Sequence, residues 1–391
     1  MEYKKKKKAN GSQFRKINDW LHLWLGLISG IIVFIVSITG CIYSFQQEIK
    51  DQLEEWRSVE VQPGGFVPPS RLLDTAAKYM GQDAKPSGLT YSHPNDAAAI
   101  GYIGKNNGKR TFTAVFINPY TGEFLKKKQI SGGDEFDFFR FIMDGHRALW
   151  LPYHIGRPIV GIATLVFVIL LVTGLIMWWP KKWNRTNKNK SFKIKLGAKF
   201  KRFNYDLHNV LGFYCFAFAL AIAVTGLVMS FTWFEKGIYF VASGGEIKSD
   251  HLHPHSNLEY KDLNWEKPIS QLDSAWYATL KKVEKVGGMY MNPVLKDEDD
   301  SYEILVYHNK GSYYNQSAFF YDRYTLEPLE MVGTKYSEAN LADRLGMMNY
   351  DIHIGSIFGL PGKIFAFFIS LICASLPVTG FLLWWNKKMT T

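Results

Sequence analysis

The sequence predicts an integral membrane protein of the α-helical class: a four-helix transmembrane bundle built from a duplicated helix–domain–helix unit, with two α+β domains outside the bilayer. Three observations predict it. Four apolar stretches, at about 21–45, 159–179, 211–231 and 364–385, have middles without Asp, Glu, Lys or Arg. Each is long enough for a hydrocarbon core of roughly 30 Å, which takes about 20 helical residues. The opening of the first stretch, Leu21-His22-Leu23-Trp24-Leu25-Gly26, returns at the third as Leu207-His208-Asn209-Val210-Leu211-Gly212. In both copies a Thr-Gly pair closes the stretch, Thr39-Gly40 and Thr225-Gly226, with Thr 17 residues after His. A repeat at this scale is read before anything else because it fixes the architecture.

The third observation is the charge distribution. Of 46 Lys and Arg residues, 19 lie up to Asp19, between Pro180 and Asp206, or at Lys387 and Lys388, against only three acids, Glu2, Asp19 and Asp206. The remainder carries 27 basic and 32 acidic residues, so a net charge of +11 hides +16 on one side and −5 elsewhere. Lys/Arg excess in short loops marks the cytoplasmic face. Both termini are therefore expected inside and both long segments outside. Topology accounts for the basic runs, so no nucleic-acid partner is expected. A mean hydropathy of −0.10 averages apolar spans with polar domains.

Taken in order, residues 1–19 are a basic start, expected to be flexible. Spans are expected at 20–45, 155–179, 206–232 and 358–385. The first span has no small-residue cleavage site after it and is expected to stay as an anchor. The first external domain, 46–150, reads as a helix at 71–80 with Ser70 as a plausible N-cap. It is followed by β-prone runs at 88–92, 97–103 and 111–117 and a turn at Asn118-Pro119-Tyr120-Thr121-Gly122-Glu123. Residues 180–205 form a basic inner loop. The second external domain, 233–352, repeats the plan with a helical stretch at 269–286, β-prone runs at 302–307 and 317–321, and Asp322-Arg323-Tyr324-Thr325-Leu326-Glu327. A short tail, 386–391, ends the chain. Trp178-Trp179, followed by Lys181 and Lys182, reads as an interfacial aromatic belt. Cys41, Cys215 and Cys373 all lie inside spans, which excludes a disulfide framework and a CxxCH haem attachment.

The second and fourth spans match as well. Thr173-Gly174 and Trp178-Trp179 align with Thr379-Gly380 and Trp384-Trp385. Arg157 and Lys363 each lie 16 residues before that Thr, whereas His146 lies 27 before and His353 lies 26 before. Ionisable residues near membrane spans are costly and usually functional. Copies of the same topology are related by an axis along the membrane normal. His22 and His208 can then meet near the inner face, and His146 and His353 near the outer face. Facing neutral imidazoles are what six-coordinate haem iron takes as axial ligands. Gly26 and Gly212, one turn after each inner His, are expected to leave room for a flat macrocycle. His154 has no counterpart in the second copy and is the rival to His146. The four Thr-Gly pairs read as close helix packing. His251, His253 and His255 alternate along a loop and are a weaker candidate metal site. No GxGxxG, GxxxxGK[ST] or nucleophile elbow occurs, so this chain is not expected to bind nicotinamide or flavin itself.

Together, Leu-His-x-x-Leu-Gly twice, four Thr-Gly helices, Gly-Arg and Gly-Lys helix starts and Trp-Trp-x-Lys exits resemble the PepSY-associated transmembrane family. The external domains, with Phe116-Ile117-Asn118-Pro119-Tyr120-Thr121-Gly122-Glu123, resemble PepSY domains; the second copy departs by losing Pro and Gly. The resemblance implies a multi-pass protein of the bacterial inner membrane with two b-type haems held by His22, His208, His146 and His353. It implies an oxidoreductase that reduces ferric siderophores or other iron chelates on the periplasmic side for iron acquisition. The electron donor would be cytoplasmic or a quinol. Two alternatives remain open at this stage: a haem-free PepSY-type binding or regulatory protein, and a siderophore permease.

Overall fold

The computed structural model describes residues 2–106, 109–132, 136–180, 182–248, 253–262, 268–331 and 334–388. In chain order its main elements begin with α1 (Glu2–Ser44), α2 (Gln46–Leu53) and α3 (Pro69–Met80). Strands β1 (Pro86–Tyr91), β2 (Ala98–Asn106), β3 (Lys109–Ile117) and β4 (Phe124–Ser131) follow. Next come α4 (Phe138–Ala148), α5 (Tyr153–Trp178), α6 (Arg185–Phe192), α7 (Phe200–Asp206), α8 (Gly212–Ser230) and α9 (Thr232–Ala242). The second half continues with α10 (Pro268–Leu280), β5 (Gly288–Met291), β6 (Tyr302–Tyr307), β7 (Gln316–Tyr321) and β8 (Pro328–Leu329). It ends with α11 (Leu341–Ile354) and α12 (Gly359–Lys388). The chain divides into two compact units.

The first unit, residues 1–45, 141–235 and 352–391, contains the four expected spans. Gln13–Ser44, Tyr153–Trp178, Phe200–Ser230 and Ser356–Lys388 are each long and apolar enough to cross a membrane. Helix α1 begins at Glu2, so the basic start is continuous with the helix of the first span. The third span is not a uniform α-helix: Leu207–Leu211, between α7 and α8, makes a π-helical turn that contains His208. Such widened turns concentrate at functional sites. Helix α1 packs on α5 and α12, and α8 packs on the same two, closing a ring of four. Small side chains let them approach: Cys215 and Ala219 of α8 and Cys373 of α12 are buried with Leu171 and Ile369 in one cluster. Ile28, Ile31, Ile162 and Phe368 face outward, as lipid-facing side chains do.

The second unit, residues 46–140 and 236–351, corrects one expectation. The two stretches read as separate domains form a single unit around one antiparallel sheet, in the order β4-β3-β2-β1-β5-β6-β7-β8. A four-stranded half would leave β1 or β5 as an unpaired edge, which invites pairing. Here the two edges satisfy each other, with Thr90 opposite Tyr290 at the centre of the β1–β5 ladder. Strand order therefore reads the same from either end. The core is shared: Leu72 and Ala76 of α3, Leu272 and Trp276 of α10, and Leu89, Ile100, Met289 and Ile304 of the strands are buried in one cluster.

Ser70 is not the N-cap of α3. Helix α3 starts at Pro69, the first-turn position that proline suits because it has no N–H to leave unpaired. Ser70 lies inside that turn and donates its N–H (2.8 Å) and hydroxyl (2.5 Å) to the Asp273 carboxylate of α10. The two turns singled out in the sequence fold alike. Asn118 N–H donates to Glu123 O at 2.8 Å and Asp322 N–H to Glu327 O at 3.0 Å. Gly122 sits at φ 75° and its counterpart Leu326 at φ 60°, a left-handed conformation that glycine takes freely and leucine does not.

Candidate functional site

The four matched histidines all lie in the first unit, and they meet in two pairs. His22 and His208 have ring centroids 6.3 Å apart, and His146 and His353 are 6.1 Å apart. Along α1, Thr39 beside the second pair is 17 residues beyond His22 of the first. At 1.5 Å per residue the pairs are roughly 25 Å apart along the helix. His154 is exposed at the start of α5, so His146 is the histidine that faces His353.

Each ring is held by a Thr-Gly pair on another helix. His22 Nδ1 is 2.9 Å from Thr173 Oγ1 of α5, and His208 Nδ1 is 2.9 Å from Thr379 Oγ1 of α12. His146 Nδ1 is 3.3 Å from Thr39 Oγ1 of α1, and His353 Nδ1 is 3.0 Å from Thr225 Oγ1 of α8. A Cβ added at the next residue, Gly174, Gly380, Gly40 or Gly226, would lie 3.2 Å from the same ring's Cε1. The Thr-Gly pairs do serve close packing, and what they pack against is the imidazole. Gly26 and Gly212 face leucines instead: a Cβ there would be 3.8 Å from Leu170 and 3.7 Å from Leu376, ordinary contact.

The partners fix the tautomer. Each threonine spends its only proton on its own helix: Thr173 on Ile169 O (2.9 Å), Thr379 on Ser375 O (2.9 Å), Thr39 on Ile35 O (2.7 Å) and Thr225 on Ala221 O (2.9 Å). The hydroxyl can then only accept, so Nδ1 carries the hydrogen. In the second pair a carbonyl adds to this, Val36 O at 2.9 Å for His146 and Ile222 O at 3.0 Å for His353. With Nδ1 protonated, a neutral imidazole keeps its lone pair on Nε2, the arrangement that orients a ligating histidine. Two further residues support the first pair. Asn18 and Asn204, each one turn before its histidine, donate to Thr173 O (3.1 Å) and Thr379 O (3.0 Å). Sequence reasoning passed over them, although Asn stands four residues before His in both copies.

The one-residue difference between the His146 and His353 segments is absorbed in the turns after α4 and α11. Leu149 and Trp150 both take left-handed φ, 53° and 58°, where the second copy uses two glycines, Gly355 at 79° and Gly359 at 65°. Trp150 folds back, its Nε1 donating to Phe141 O at 2.8 Å and its ring covering Gly145. Gly156 and Gly362 then abut these turns: a Cβ at Gly156 would collide with Ala148 O, and one at Gly362 with Gly355 O.

The remaining candidates fall outside these pairs. His251 lies outside the described residues. His255 Nδ1 is 2.9 Å from Asp299 at the surface, and His253 packs on the Phe320 ring. No group of three or more His, Cys, Asp or Glu suited to a metal ion occurs among the described residues. Trp178 is buried, stacked on Phe213 at 3.7 Å and bonded to Ser191 O, so only Trp179 of that pair is exposed as a belt residue would be.

A ring of membrane-length helices with paired inward histidines, interrupted by extramembrane segments, defines a multi-span integral membrane protein with a candidate cofactor site in its bundle. The model of the PepSY-associated TM region matches residues 20–387, nearly the whole chain, and the protein belongs to that family. No curated protein matches the sequence.

Proposed function

We propose that this protein is a duplicated helix–domain–helix unit that binds two b-type haems and reduces ferric siderophores or other iron chelates for iron acquisition. The observation that carries the reading is the four-fold repetition of one imidazole setting: Nδ1 held by threonine, Nε2 left with its lone pair, rings paired. Two metal–nitrogen bonds of about 2 Å each, with the ring radii, sum to roughly 6 Å between ring centres, which suits the spacing of both pairs. Two imidazoles alone leave most of an iron coordination sphere open, and a macrocycle fills the rest. A bound haem would supply one-electron exchange at its iron.

The chain's own residues do the remaining work. His22 and His208 would hold one haem and His146 and His353 the other. Thr173, Thr379, Thr39 and Thr225 orient the rings and hold the hydrogen on Nδ1 as its acceptors. The apolar spans keep water and ions out between the pairs. The family points to a bacterial inner membrane, and the Lys/Arg bias supports an orientation with both termini cytoplasmic and the β-sheet unit periplasmic. Electrons would enter from a cytoplasmic or quinol donor near His22 and His208. They would leave to the chelate on the His146–His353 side.

A reduced-minus-oxidised spectrum of the purified protein, with a pyridine haemochrome assay, tests this. Low-spin b-type bands at about two haems per chain are expected. Replacing His22 or His208 should remove one haem, and replacing His146 or His353 the other; the reduced protein should be reoxidised by ferric chelates. Protein without haem, from cells able to supply it, would sink the reading.

A further inference from the structure

Arg157 and Lys363 hold matching places that the pairing of histidines does not explain. Each directly follows a glycine, Gly156 or Gly362, whose backbone abuts the carbonyl two residues beyond an outer histidine: Ala148 O after His146, and Gly355 O after His353. Both cations are thus fixed beside the turns that end the histidine-bearing helices. Arg157 donates from Nη2 to Met229 O at 2.9 Å, one turn of α8 beyond the Thr225-Gly226 pair that holds His353. Its Nε is buried and has no hydrogen-bond partner among the described residues, and no carboxylate there forms an ion pair with it. Lys363 is only 9 % exposed on the first turn of α12. A guanidinium with an unused buried donor at the end of a membrane span lacks an anion, and its planar fork suits a carboxylate.

We propose that Arg157, with Lys363 at the matching position, receives the carboxylates of the macrocycle held by His146 and His353; this rests on the haem reading above. The same donors would accept a lipid phosphate, so the experiment separates the two sources. Arg157→Gln, Arg157→Lys and Lys363→Gln are made in the full chain and reconstituted in nanodiscs, with and without anionic lipid, for potentiometric titration of the haem bands. The expected result is that Arg157→Gln keeps two haems per chain and lowers the midpoint potential of one, because removing a nearby positive charge favours the ferric form. Arg157→Lys should restore most of the shift, and lipid composition should not alter it. If Arg157→Gln instead sheds one haem, Arg157→Lys should regain it, and failure to do so would overturn the charge-pairing role. Two haems at unshifted potentials would overturn the proposal and leave the haem reading standing. A shift seen only with anionic lipid would assign the donor to a headgroup and overturn it as well. Wild-type protein without haem would instead refute the reading beneath it.

Discussion

His22 and Thr173, 151 residues apart in sequence, meet at 2.9 Å between α1 and α5, and Asn18 on the same helix as His22 donates to the carbonyl of the same threonine. One residue of α5 is thereby held through both its side chain and its backbone. Replacing Thr173 by Val keeps the shape and removes the acceptor for Nδ1–H. The imidazole then loses both its orientation and its preferred tautomer. Loss of such a supporting bond costs about 10–100-fold in metal affinity. If the His22–His208 pair holds a haem as proposed, Thr173→Val should weaken its retention while leaving the other pair unchanged, and Thr173→Ser should restore it. Haem content after gel filtration, read by pyridine haemochrome, checks this.

Gly156 lies so close to Ala148 O that a methyl group cannot be accommodated without moving α4 relative to α5. Overpacking of this kind costs about 1–3 kcal/mol. Because His146 lies only two residues before Ala148, the strain falls on its ring position. Gly156→Ala should lower the thermal midpoint and, if His146 and His353 hold a haem as proposed, broaden or reduce its signal. Gly26→Ala, where a Cβ would find Leu170 only at 3.8 Å, should change neither by much. Paired melting curves and spectra of the two variants decide it.

Much of this was legible in the sequence because it repeats. The spans announce themselves by length and apolar content, and the histidines by recurring at the same offset from Thr-Gly. What could not be read is which helix each Thr-Gly serves. The sequence places His22 and Thr39 on one helix, 17 residues apart, whereas the structure gives Thr39 to His146 and Thr173 to His22. Local periodicity is silent on partners in other helices. Strands β4, β5 and β8 were missed for local reasons: β4 carries three consecutive lysines, and β5 and β8 have four and two residues. The joining of two halves into one sheet is a contact between residues about 200 positions apart, such as Leu89 and Met291, and no pattern within either half encodes it.

Leu326 tests the repeat from the side of strain. It occupies the left-handed position that Gly122 takes in the first copy, a conformation costing about 1–2 kcal/mol for a residue with a Cβ. Its side chain is partly buried against the core of the β-sheet unit, which offsets that cost. Leu326→Ala loses the packing and keeps the strain, whereas Leu326→Gly loses the packing and relieves the strain. The usual ranking of alanine above glycine should therefore invert: Leu326→Gly should be the more stable variant by about 1 kcal/mol. Gly122→Ala in the first copy should destabilise, since its Cβ would also meet Arg71 at 3.1 Å. Denaturant midpoints of the three variants give the order.

Asp322 gives the matching turn a dependence on pH. Its carboxylate is 3 % exposed and accepts the N–H groups of Asn257 (2.6 Å), Tyr324 (2.7 Å) and Thr325 (2.9 Å). Burial alone would push the carboxyl up, but those backbone donors outweigh it and hold it below its ordinary value. A carboxyl depressed by folding contributes stability that is fully present above its unfolded value of about 3.9 and is lost as pH falls through the folded one. Asn118, the counterpart, does with an amide what two of these bonds require, accepting from Tyr120 (2.9 Å) and Thr121 (3.3 Å). Asp322→Asn can keep those two, but its NH2 would face the Asn257 N–H, setting donor against donor. The variant should cost about 2 kcal/mol at neutral pH. The difference from wild type should shrink steadily as the pH drops below about 4, where the unfolded chain's carboxyl takes up a proton before the native one does. Thermal midpoints of both proteins between pH 7 and pH 3, in the same detergent, test it, and a difference that stays constant across that range would mean that the turn is held by shape instead of charge.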